Sequence, residues 1–169
     1  MWGTLISRFA LATRRFGRDT RGASLVEFGI VLPFMLLMLA LMIEAGRFMW
    51  SYQVAVEGVR DAGRYLARIA PVDICQTGGT VSGYSPTLLG MVRNNNSGST
   101  LFPQYVTVNS VTASHTCVSG TYRISPTPVG TVTANMTIQF PFAGITSIFG
   151  DSMTTLTATI SDQSRIFGQ

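Results

Sequence analysis

Glu27 is a lone carboxylate at the start of a long apolar run, four residues after Ala23 in "GASLVEFGIVLPF". A carboxylate in hydrocarbon is costly, so the chemistry open to it is pairing with a cation or reaching out to water. Glu44 and Arg47 stand three apart at the far end of the same run, a spacing that puts both on one helical face. They read as an interfacial ion pair that marks where the apolar run ends. Catalytic patterns are missing by contrast. His115 is the only histidine and sits in a Thr/Ser-rich stretch, while Asp73, Asp151 and Asp162 are isolated from one another along the chain. No nucleophile elbow, zinc motif, phosphate loop or dinucleotide fingerprint occurs. Cys75 and Cys117 lie in no CxxC pair and beside no histidine, which gives little support to redox catalysis or metal binding. The chain is therefore expected to act without catalysis, cofactor or metal.

The element that must carry Glu27 is a helix in lipid. Phe28 to Ile43 holds no charged residue, and 46% of the 169 residues are hydrophobic against 12% charged, giving a mean hydropathy of +0.32. From Ala23 to Ile43 a helix rises roughly 30 Å, about the hydrocarbon thickness of a bilayer. Before it, residues 1–22 carry Arg8, Arg14, Arg15, Arg18 and Arg21 against Asp19 alone. That excess accounts for the whole formal charge of +4, because the acids and bases of the remainder cancel. A basic cluster just before an apolar span is the positive-inside signal and places 1–22 in the cytoplasm; a nucleic-acid surface would spread its basic residues over a folded face with aromatics between them. All the basic residues are arginine, for which the sequence offers no physical reason.

Beyond the span the helical pattern continues. Phe48, Tyr52, Ala55, Val59, Ala62, Leu66 and Ile69 repeat at spacings of four and three, which makes one moderately apolar face over 47–70. Arg60, Asp61, Arg64 and Arg68 fall on the other faces as a solvated surface, with Glu57–Arg60 and Asp61–Arg64 at pairing distance along a helix. Phe48, Trp50 and Tyr52 fit an aromatic belt where the span leaves hydrocarbon, or core contacts with the later domain. Pro33 inside the span removes one backbone donor and predicts a kink; Pro71 ends the helix.

After Pro71 the period changes from helical to two. "TVTANMTIQF" and "TLTATI" alternate apolar with Thr, Asn or Gln, and "YVTVNSVTA" does so from Tyr105 to Ala113, as half-buried antiparallel strands do. "CVSGTYRI" suggests a shorter fourth strand beyond Gly120. "SPTLLGMVRNN" predicts a short helix capped by Ser85 with Pro86 at its first position; "NNNSGST" and "PFAGITSIFGD" are connections. A sheet with one apolar face needs a cover, and the long helix offers the only extended apolar stripe. The expected fold is α+β: a long N-terminal transmembrane and amphipathic helix packed on a small antiparallel sheet. The organisation is a leader (1–22), a span (23–46), a helical extension (47–70) and a β-rich periplasmic domain (71–169).

Both cysteines come after the span, on the side that the leader's charge predicts to be outside. There an even pair is most simply a disulfide, closing a loop worth about 4 kcal/mol in the chain-entropy model; two buried thiols are the alternative.

Gly22-Ala23-Ser24-Leu25-Val26-Glu27-Phe28 resembles the processing site of type IV prepilins, where a membrane aspartyl peptidase cuts after glycine and glutamate becomes the fifth mature residue. From Arg21 to Arg68 the chain resembles TadE-like proteins, minor pilins or pseudopilins of the tight-adherence (Tad/Flp) pilus. The features are Val26-Glu27-Phe28, Leu32-Pro33, Glu44 followed by Gly46-Arg47, and "VRDAGRYLAR". The β-rich remainder is similar only in character. The resemblance implies cleavage between Gly22 and Ala23 and a pilin-like fold. It also implies a role for Glu27 and Phe28 in assembly and register, with a prepilin peptidase, other Tad pilins and the inner-membrane platform as partners.

Cleavage would create an amine at Ala23, and Glu27 could pair with its own or a neighbour's N-terminus; the resemblance favours the neighbour. Without that pairing Glu27 would sit among headgroups and reach water. A secretory signal would instead be cut after the apolar run, where "MIEAGRF" is a poor site. An uncleaved single-pass anchor bearing a scaffold or adhesive domain predicts the same topology and keeps its arginines.

Overall fold

A computed structural model describes residues 22–95, 97–146 and 154–168; residues 1–21, with the basic leader, lie outside them. The chain divides into two compact units, one ending at Met42 and the other beginning at Ile43. One helix, α1 (Ala23–Ile69), contributes to both. It continues through Pro33 and stops just before Pro71, whose ring cannot enter a helix interior.

In the first unit the α1 residues from Ala23 to Met42 bury no side chain. Leu25, Ile30, Phe34 and Met42 are each more than half exposed. This segment makes α1 long and apolar enough to cross a membrane.

The second unit is α+β. After α1 come α2 (Ile74–Thr77), a 3₁₀ turn (Ser82–Tyr84), α3 (Ser85–Arg93), β1 (Val106–Val118), β2 (Thr127–Gln139), α4 (Ala143–Thr146) and β3 (Thr155–Arg165). The strands form an antiparallel sheet in the order β1-β2-β3. Register aligns Val106 with Ile138, Val108 with Met136, Val111 with Ala134 and Ala113 with Val132, and sets Ile160 beside Ala134. These side chains form the inner face. It is covered by Ala55, Val59, Ala62 and Leu66 of α1 and by Leu88 and Val92 of α3, all buried in one core. The central stripe residues of α1 thus pack as their period requires, whereas Phe48 and Ile69 are half-buried and Tyr52 is exposed. Small residues allow close contact: a Cβ on Gly58 would stand 3.3 Å from the Val92 Cα, and one on Gly63 would stand 3.0 Å from an Asp162 oxygen.

The outer face is built of hydroxyls and amides. Thr107, Thr137 and Thr157 align across the three strands, as do Thr112, Thr133 and Ser161. Asn109 Nδ2 donates to Thr137 Oγ1 at 2.7 Å, and Thr159 Oγ1 to Asn135 Oδ1 at 2.7 Å. β-Branched threonine suits a pleated surface without adding apolar area to it.

Four local readings are corrected. Tyr105 is not a strand residue, because its φ of 72° takes it out of the extended region. β1 runs on to Val118, past the expected Ala113, with a bulge between Val108 and Ser110 that switches the buried positions from Val106 and Val108 to Val111 and Ala113. No fourth strand forms after Gly120: residues 119–126 connect β1 to β2, whose pairing starts at Val118 and Thr127, and the two lateral positions beside β2 belong to β1 and β3. Ser85 is the first residue of α3 and not its cap; Tyr84 precedes it with helical backbone angles as the 3₁₀ turn runs directly into α3. The Ser85 hydroxyl instead accepts the Ala113 N–H at 3.1 Å, serving the edge of β1.

Candidate functional site

The N-terminal candidate site lies in the first unit. Gly22 lies directly before α1, and Ala23 is the first residue of that helix. Both are exposed, and a Cβ on Gly22 would touch nothing within 4 Å. Glu27 comes one turn after Ala23, so the two share a helix face. Glu27 is exposed, and Phe28 beside it is 59% exposed. Pro33 is exposed within the same segment.

Glu44 and Arg47 lie in the second unit, and α1 turns them toward the sheet. Glu44 is only 7% exposed. Its Oε1 accepts the backbone N–H of Phe142 at 3.0 Å, and its Oε2 lies 3.3 Å from Arg47 Nη2. Arg47 donates from Nη2 to the Gln139 carbonyl at 2.7 Å, and its guanidinium lies 5.7 Å from the Tyr105 ring centroid. A guanidinium over a ring face is attracted by the ring quadrupole. The Gln139 N–H in turn donates to the Tyr105 carbonyl at 2.8 Å. One carboxylate and one guanidinium therefore hold the start of β1, the end of β2 and the connection after it. Trp50, further along α1, is 54% exposed; Phe48 and Tyr52 stack with centroids 6.1 Å apart.

At the other end of the sheet Cys75 of α2 and Cys117 of β1 form a disulfide with Cα atoms 5.8 Å apart. It closes a loop of 42 residues, worth about 4 kcal/mol in the chain-entropy model. α3 docks on β1 through its last residue. Arg93 Nε donates to the Val108 carbonyl at 2.9 Å, and Nη2 donates to the carbonyls of Val108 and Asn109. These carbonyls belong to the bulge. Ser164 Oγ donates to the Gly63 carbonyl at 3.1 Å and the Phe167 N–H to the Ala67 carbonyl at 3.0 Å, which ties the end of β3 to α1.

The sequence missed the cross-chain partners of Glu44, Arg47, Ser85 and Arg93. The i,i+3 spacing of Glu44 and Arg47 marks a pair, but nothing local marks Phe142 or Gln139, which lie 98 and 92 residues further along. A visible signal existed for Arg93: a cation in the last turn of a helix, next to a strand whose apolar phase slips by one. Among the described residues, Asp61 and Arg64 approach to 3.5 Å on the solvated face. No group of three His, Cys, Asp or Glu side chains among them could hold a metal ion. Asp151 lies outside the described residues.

The fold and these placements define a class: a small α+β unit continuous with one helix apolar enough to anchor it in a membrane. Residues 22–64 match the family model of the TadE-like proteins. The match begins at the glycine of the expected cut and ends on α1 at Arg64; the sheet lies outside it. Neither curated proteins nor solved structures give a match to the chain.

Proposed function

We propose that this chain is a minor pilin or pseudopilin-like subunit of a Tad pilus, processed by a prepilin peptidase after Gly22 and acting by assembly, not catalysis. The observation that carries the proposal is the TadE-like match beginning at Gly22, directly before a helix that leaves Leu25, Ile30, Phe34 and Met42 more than half exposed. Such a surface needs lipid before assembly and can be buried among helices of other subunits afterwards. The basic leader supports insertion with the N-terminus in the cytoplasm and the sheet unit in the periplasm. Partners are the peptidase, other Tad pilins or pseudopilins and the inner-membrane assembly platform.

Glu27 has its role in docking. After the cut, the amine at Ala23 and the carboxylate at Glu27 lie one helical turn apart, so each copy presents a cation and an anion at one end of its helix. A neighbour shifted along the helix axis pairs its amine with this carboxylate, and that pairing sets the register. In a bilayer the same carboxylate is costly to leave without a partner. Phe28 packs beside it.

The N-terminal sequence of protein isolated from its native membranes tests the reading. A chain starting at Ala23 is expected; one that keeps the arginine-rich leader would mean an uncleaved single-pass anchor with a scaffold or adhesive domain. Exposure of Glu27 and the apolar helix is common to both readings.

A further inference from the structure

Phe142 and Tyr105 are large aromatic side chains left 43% and 45% exposed, and both are tied to the part of α1 where the second unit begins. Phe142 is held through its N–H by Glu44, two residues after Met42. Tyr105 lies under the Arg47 guanidinium. We infer that this rim of the sheet unit, centred on Phe142 and Tyr105, rests in the headgroup interface of the same bilayer that α1 crosses, as a second membrane contact beside the span. The inference rests on α1 crossing a membrane and is independent of processing at Gly22.

Three observations carry it. The first is connectivity, since α1 leaves its unburied apolar stretch at Met42 and reaches the Glu44 carboxylate within one turn. The 3.0 Å bond from its N–H to that carboxylate ties Phe142 to a position two residues past Met42 along the chain.

The second is charge. No Asp, Glu, Lys or Arg occurs from Ile124 to Gly150, and among the described residues the charges beside Phe142 and Tyr105, Glu44 and Arg47, pair with each other at 3.3 Å. A rim facing bulk water gains nothing from losing its charges. One facing headgroups avoids their desolvation and favours aromatic rings, which are enriched at that depth.

The third is the backbone, whose N–H groups have partners here. Gln139 donates to Tyr105, Phe140 to the Thr154 carbonyl at 3.0 Å, Phe142 to Glu44 and Ala143 to the Phe140 carbonyl at 3.1 Å. Donors already paired inside the protein lose little on approaching the hydrocarbon boundary, where water is sparser than in bulk.

A second contact at Phe142 restricts the tilt of the sheet unit against the bilayer surface, so that it is presented to assembly partners in one orientation.

Site-directed spin labelling of the full chain in phosphatidylethanolamine/phosphatidylglycerol vesicles tests this. The native cysteines are joined, so a thiol introduced by Phe142→Cys is unique; Pro141→Cys is a second reporter on the same exposed turn. Leu36→Cys reports the span, and Tyr122→Cys the opposite end of the sheet. Labels at 142 and 141 are expected to collide with oxygen several-fold more, relative to a water-soluble nickel chelate, than the label at 122, in the same direction as the label at 36. If the labels at 142 and 141 match that at 122 while 36 is lipid-like, the rim faces water and the inference fails. Low collision with both reagents at 142 and 141 would mean that protein covers the rim, and also overturns it. A water-like Leu36 would remove the span itself, and the rim contact with it.

Discussion

The carboxylate of Glu44 and the backbone N–H of Phe142 meet at 3.0 Å across 98 residues of chain. Through this bond α1 holds the connection between β2 and β3, and Arg47 extends the same grip to Gln139 and Tyr105. The pair is buried at its acid and half-buried at its base, so its stabilisation lies in the hydrogen bonds it makes to the sheet more than in the ion pair itself.

Glu44→Ala removes both interactions and is expected to cost about 2 kcal/mol, the range for a hydrogen bond to a charged group. Glu44→Gln keeps an acceptor for Phe142 and should cost less. Guanidinium unfolding of the full chain in detergent, followed by circular dichroism, checks the order; equal stability of the two variants would place the energy in the ion pair.

Two glycines of α1 make opposite predictions. Gly46→Ala meets nothing within 4 Å and should stabilise the helix by up to about 1 kcal/mol. Gly58→Ala gains the same propensity but drives a Cβ to 3.3 Å from the Val92 Cα, backbone that cannot swing aside. Overpacking costs about 1–3 kcal/mol, so that variant should lose stability on balance. Thermal melts in one detergent give the two signs.

Replacing both Cys75 and Cys117 with serine is expected to lower stability by up to about 4 kcal/mol. Reduction of the wild-type chain should reproduce the loss and slow its migration in a denaturing gel, whereas the double variant should ignore reductant.

Docking of α3 on β1 is testable by amide exchange. Ser85→Ala removes the acceptor of the Ala113 N–H, and exchange at Ala113 should quicken about tenfold or more, corresponding to about 1.4 kcal/mol or more. The Val132 amide, in the middle strand, should keep its protection. Arg93→Lys cannot reproduce contacts made by two guanidinium nitrogens and should loosen α3 without unfolding the sheet.

Much of the fold is legible because its elements are written locally. The uncharged run from Phe28, the stripe from Ala55 to Leu66, the stop at Pro71 and the alternation from Val132 to Ile138 each arise from one helix or strand period. The bulge in β1 is also visible in principle, since Val106, Val108, Val111 and Ala113 change phase between the second and third. The extra strand expected beyond Gly120 fails because a short apolar alternation carries no record of which neighbour is free to pair with it.

The sequence by itself determined a basic N-terminal stretch, one apolar run long enough to cross a bilayer, a helix with a stripe to cover something, and strands with one apolar face. It also holds the Gly22-Ala23 and Glu27 pattern, which lies in one contiguous stretch. Tertiary structure alone decided that β2 is central, that Ser85 serves β1 and not its own helix, and that Glu44 and Arg47 grip the sheet. Those facts depend on pairings across tens of residues, where loop closure is nearly indifferent to length and only the packed core selects the partner.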